Sequence, residues 1–116
     1  LISSCSPSSV EDFHLEGQKL AQKIADDLKK VKSKRELIKK SPQLKKDFEQ
    51  LAKLILQCRE FRKRYPEKVL LYETYPTEET YVLYRELIRV YELEGTKEVL
   101  QEIQERALDI LEKERQ

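Results

Sequence analysis

An all-α fold, specifically a compact four- to five-helix antiparallel bundle, is what the sequence predicts, on three observations. Glycine occurs twice and proline four times in 116 residues, so few positions resist a helix. Charged residues make up 39% of the chain, well above the usual quarter, and most are Lys, Glu or Arg, which form helices readily. Apolar residues recur every three or four positions over long stretches, the period of one helix face. The length fits one domain, with residues 1–8 as a disordered tether and residues 9–116 as a single helical body.

The first helix begins near Ser9, where Ser9 with Asp12, or Ser8 with Glu11, has the spacing of a capping box. Its apolar stripe is Phe13, Gly17, Leu20, Ala21, Ile24, Leu28 and Val31. His14, the only histidine, lies off the centre of that stripe and reads as a surface or boundary residue. Ser33 and Glu36 repeat the capping-box spacing, so a short or restarted helix is expected over Ser33–Lys40, with Leu37 and Ile38 tucked against the bundle.

The central helix is expected to start at Ser41-Pro42, since Ser41 suits the cap and Pro42 a first turn that needs no donor. Leu44, Phe48, Leu51, Ile55, Cys58 and Tyr65 then share one face, widened by Leu54 and Phe61. Tyr65-Pro66 ends it, because a residue before proline is pushed out of the helical region. Cys58 on the apolar seam reads as a buried, unreactive thiol. Residues 67–76 are apolar without a clear period. Their tyrosines, beside Arg62, Arg64 and Tyr65, suit either core packing or an interface. Thr77 is expected to cap a helix to about Glu94, with Glu78 and Glu79 where the macrodipole favours acids. Gly95 then takes the left-handed stop and Thr96 caps a last helix to about Lys113.

The net charge of +1 conceals a division: residues 1–72 carry 17 Lys/Arg against 10 Asp/Glu, and residues 73–116 carry 6 against 12. Two halves lying side by side would offset each other's fields. The alternative makes the basic half a surface for anionic lipid, acidic glycan or nucleic acid. Lys29, Lys30, Lys32, Lys34, Arg35, Lys39, Lys40, Lys45 and Lys46 are its candidate anion-binding residues, a run that holds one acid. No aromatics are interleaved for base stacking and no glycine-rich phosphate loop is present, so a solvated corner competes with that reading.

At the start of the chain, Ile2-Ser3-Ser4-Cys5 resembles a bacterial lipobox: a branched aliphatic, two small residues and a cysteine. The resemblance implies that Cys5 is lipidated, that the Ser/Pro-rich residues after it form a tether, and that the protein is held at a membrane facing the periplasm. Ser6, rather than Asp, implies outer-membrane sorting in a diderm. Only Leu1-Ile2 of an apolar leader precedes the motif, and a chance cysteine in a disordered tail is the competing reading. Farther on, Tyr84-x-x-Leu87-Ile88-x-x-Tyr91, Gly95 and Ala107-Leu108 resemble one tetratricopeptide (TPR) repeat over about Tyr81–Glu114. Ile88, Leu100 and Gln104 depart from that family's preferences and no second copy lies upstream, so a generic helical hairpin stands beside it.

Lack of Asn, Met and Trp with abundant Lys, Glu and Tyr resembles a hyperthermophile's composition, although eight glutamines point the other way. Catalysis needs a base, nucleophile or metal held together, and one histidine with no evident Ser or Cys partner supplies no such set. The expected function is a non-catalytic, membrane-anchored protein-interaction module without a cofactor, its partner contacted through Tyr72, Tyr75, Tyr81 and Tyr84. A cytosolic bundle binding nucleic acid through Lys29–Lys46 is the alternative, and a self-associating bundle a third possibility.

Overall fold

The computed structural model describes residues 10–65 and 78–113 of the chain. Among them are four helices and no strand: α1 (Val10–Lys29), α2 (Lys34–Arg64), α3 (Glu78–Tyr91) and α4 (Lys97–Lys113). The all-helical fold follows the sequence reading. Several of its finer expectations do not, and three of these concern the helices and their turns.

The first concerns α2, a single helix of 31 residues that runs through Pro42 rather than starting there. The Ser33 hydroxyl accepts from the Glu36 amide at 3.4 Å, and the Glu36 carboxylate accepts from the Lys32 amide at 2.7 Å. With the Lys32 and Glu36 amides served by this box around Ser33, the helix already has its beginning. Pro42 removes one amide and leaves the Ile38 carbonyl without its helical partner. Pro42 and Ile38 both lie on the exposed face, where water can serve that carbonyl, so of the two residues expected to tuck against the bundle only Leu37 does so. The opposite face carries Leu37, Leu44, Phe48 and Ala52 into the core without interruption. Burial on both sides of the proline outweighs the lost bond.

The second concerns helix direction. α1 and α2 form an antiparallel hairpin: Phe13 meets Phe61 with ring centroids 5.5 Å apart, Lys23 pairs with Asp47 at 3.1 Å and Asp27 with Lys40 at 3.7 Å. The other close pairs are α2 with α4 and α1 with α3, and these run parallel. Lys45 faces Glu102 at 3.5 Å and Arg106 faces Glu49 at 3.5 Å, so numbers rise together along α2 and α4. Arg89 near the end of α3 likewise meets the end of α1. α3 and α4 follow each other in sequence, yet they are not among the closely packed pairs. Neighbours joined by short turns were expected to pack antiparallel. α1–α2 and α3–α4 both run antiparallel, but only the first pair packs closely, because each later helix buries its stripe against the α1–α2 hairpin.

The third concerns Thr96, which is fully buried. Its hydroxyl donates backward, to the carbonyls of Leu93 at 2.8 Å and Val90, where a capping role would have it accept from α4. It thereby adds a donor to carbonyls at and just past the end of α3 that the Leu93 and Thr96 amides also serve. Gly95 does behave as expected, with φ of +77°. A side chain there would also press on Lys34, whose Cδ lies 3.1 Å from the Cβ position.

One core joins all four helices, from Ile24, Ala25, Leu28 and Val31 through Leu37 and Leu44 to Val90, Leu100 and Ile103. Two polar devices are built into it. Arg89 closes α1: its guanidinium donates to the Leu28 carbonyl at 2.7 Å and the Val31 carbonyl at 3.0 Å, while Nε binds Glu86 at 2.9 Å. A cation at a helix C-terminus supplements the donors there, where the Val31 amide already serves the Leu28 carbonyl at 2.9 Å, and meets the negative end of the macrodipole. Asp47 is fully buried, and its Oδ1 accepts from Lys23 at 3.1 Å and Gln43 at 2.9 Å. Its Oδ2 has no hydrogen-bond partner among the described residues.

Candidate functional site

α3 is apolar on two faces. Leu83, Leu87 and Val90 point inward and belong to the core or pack on it. A second series, offset on the helix, is exposed: Tyr81 57%, Tyr84 65%, Ile88 48% and Tyr91 42%. Its steps of three, four and three residues place these side chains in one outward stripe, the spacing of a coiled-coil seam. Scattered exposed apolar residues need no explanation, but four in register on one helix form a patch. Three are tyrosines, which supply large contact area with little rotamer freedom to lose, and carry a hydroxyl that tolerates water. Lys97 Nζ lies 5.6 Å from the centroid of the Tyr91 ring, a cation over the aromatic face that anchors the lower end of the stripe.

Of the four tyrosines assigned to partner binding, Tyr81 and Tyr84 lie in this stripe, and Tyr72 and Tyr75 lie outside the described residues. Cys5 lies outside them as well. The sequence reading missed Ile88 and Tyr91 as surface residues because it matched them to inward repeat positions. The signal was present: a second three-four-three series, out of phase with Leu83, Leu87 and Val90, makes a helix apolar on two sides.

The nine basic candidates divide. Lys29 pairs with Asp26 at 3.9 Å, Lys40 with Asp27 at 3.7 Å and Lys45 with Glu102 at 3.5 Å. Asp26 and Asp27 belong to the basic half itself, and of these three acids only Glu102 comes from the acidic half. Lys34 lies against the α3–α4 turn. Lys30 and Lys32 are exposed around the α1–α2 turn, and Arg35, Lys39 and Lys46 are exposed along α2. The last three recur at offsets of four and seven residues, one strip of that helix, and Lys53 continues it.

His14 is half-buried at the start of α1 and Cys58 is half-buried on α2, a free thiol not fully enclosed as expected. Among the described residues no group of three His, Cys, Asp or Glu side chains could hold a metal ion, and no helix is long and apolar enough to cross a membrane. Comparison with protein-family models, with curated proteins and with solved structures finds no match for this chain.

Proposed function

We propose that this chain is a non-catalytic interaction module that docks an amphipathic helix of a partner protein on the α3 stripe, and that a lipid on Cys5 holds it at a membrane. The observation that carries the first half is the exposed series Tyr81, Tyr84, Ile88 and Tyr91. Heptad-like spacing fits a helical partner, whose own apolar seam would cover the stripe in successive layers. The TPR resemblance is not part of this reading, since α3 packs on α1 and α4 on α2 rather than closely on each other.

A photo-crosslinking residue placed at Tyr84 or Ile88 in cells tests the docking face, with Lys53 on α2 as the control position. The reading expects one discrete adduct from positions 84 and 88, absent at 53, whose crosslinked peptide is an amphipathic helix. Tyr81→Glu should abolish it. Equal adducts from both faces, or none, would end the proposal; an adduct with a second copy would make the partner the chain itself. The anchor rests on the Ile2-Ser3-Ser4-Cys5 motif alone. Palmitate labelling and membrane fractionation test it, and both should be lost in Cys5→Ser.

A second reading, polyanion binding, keeps one supporting observation: Arg35, Lys39 and Lys46 are exposed on a single strip of α2. Affinity for an RNA or DNA oligonucleotide that falls steeply with salt, and collapses in Lys39→Glu/Lys46→Glu, would favour it.

A further inference from the structure

We propose that the chain binds an unbranched aliphatic carboxylate in an apolar pocket between α1, α2 and α3. The pocket has a volume of about 260 Å³. A drug-sized ligand needs roughly 300 Å³ or more, while an apolar cavity of roughly 150 Å³ admits benzene, so this space suits one slender chain.

Its shape comes from small residues flanked by large ones. Gly17 and Ala21 line it from α1, one turn apart, with Phe13 below them. Leu54 and Cys58 line it from α2 and Leu83 from α3. Gly17 lies inside α1 with no positive φ, so the backbone does not require glycine there. Within 4 Å of where its Cβ would be, the one neighbour is Leu54 Cδ2 at 3.9 Å. Glycine in a helix interior is unfavourable by about 1 kcal/mol relative to alanine. What the missing side chain supplies here is room. An apolar space too poorly filled for close contact forfeits dispersion on all its walls, and an aliphatic chain restores those contacts without asking for hydrogen bonds.

The head of the ligand follows from the charge. Arg62 is the only Lys, Arg, Asp or Glu among the described lining residues. It is exposed, so it stands toward solvent rather than inside the apolar wall. No carboxylate among those residues competes for it, and its planar fork matches a carboxylate with two parallel bonds. His14, Gln18 and Thr80 make up the remaining nitrogen- and oxygen-bearing part of the lining, and none of them is a carboxylate. An apolar body with a single negative end matches this lining, whereas an ammonium amphiphile would meet Arg62 unfavourably.

Isothermal titration of the full chain with decanoate, below its micellar concentration, tests the proposal, with decanol as the neutral probe. The expected result is saturable one-to-one binding of decanoate, about tenfold tighter than decanol, the difference that one charge-assisted contact supports. Arg62→Gln, a change at an exposed position, should bring decanoate down to the decanol affinity and leave decanol unchanged. Gly17→Leu fills the space from within a helix that leucine favours, and should remove both ligands while circular dichroism shows an intact fold. No saturable binding by the parent, equal affinity for the two probes, or unaltered decanoate binding in either folded variant would overturn the proposal.

Discussion

Arg89 is where a single side chain is expected to matter most to stability. Arg89→Met keeps a long apolar stem and removes the guanidinium. The loss comprises donations to the Leu28 and Val31 carbonyls at 2.7 and 3.0 Å, and the bond to Glu86, whose side chain is 19% exposed. Leu28 and Val31 are themselves fully buried, so water replaces the donor only in part. Hydrogen bonds to charged groups contribute about 1.5–3 kcal/mol each when well shielded. Arg89 is 36% exposed, which screens its charge and pulls the total toward the lower figure. We therefore expect a loss of about 2 kcal/mol, which at a urea dependence of about 2 kcal/mol/M lowers the unfolding midpoint by about 1 M. Arg85→Met, one turn earlier on the exposed face of α3, is the control and should stay within about 0.5 kcal/mol of the parent. Arg89→Lys keeps the charge at the end of α1 but loses the fork, and should fall between the two. The measurement is urea unfolding followed by circular dichroism at 222 nm. If Arg89→Met moved the midpoint no more than Arg85→Met, the tertiary cap of α1 would carry no stability and the reasoning would be refuted.

Other substitutions follow from the same geometry. Lys23→Met strands the buried Asp47 carboxylate and should destabilise by about 1–3 kcal/mol, whereas Lys23→Met/Asp47→Leu should recover most of that in the same unfolding assay. A double variant less stable than the single would show that the pair contributes net stability. Pro42→Ala should stabilise by about 1–3 kcal/mol, since alanine restores the bond to the Ile38 carbonyl; a neutral result would mark Pro42 as a helix start. Gly95→Ala should lower the thermal midpoint, because φ of +77° is strained for alanine and Lys34 Cδ lies 3.1 Å from the new methyl. Its cost, about 1–2 kcal/mol, should exceed that of Glu94→Ala, an exposed neighbour in the same turn.

The helices themselves were legible because their signals are local. Phe13, Ala21, Ile24 and Leu28 announce the buried face of α1 by period alone. Ser33 with Glu36, and Gly95, act through backbone groups a few residues away. The proline was misread for the same reason: its local preference for a first turn is real, yet burial of Leu37 on one side and Leu44 on the other decides that α2 continues. Thr96 shows the same limit. A threonine before a helix can accept forward or donate backward, and only the fully enclosed turn around it selects the second.

By itself, the sequence determined the all-helical class, the capping box at Ser33, the left-handed turn at Gly95 and most of the inward stripe of α1. Propensity and period act over a few residues and need nothing distant. The tertiary structure alone decided that α3 and α4 pack parallel to α1 and α2, that Arg89 closes a helix some sixty positions earlier in the chain, and which side of α3 remains uncovered. Those outcomes depend on which of several apolar faces meet. Four amphipathic helices can bury their stripes in more than one arrangement, and the choice lies in the fit of side chains far apart in sequence.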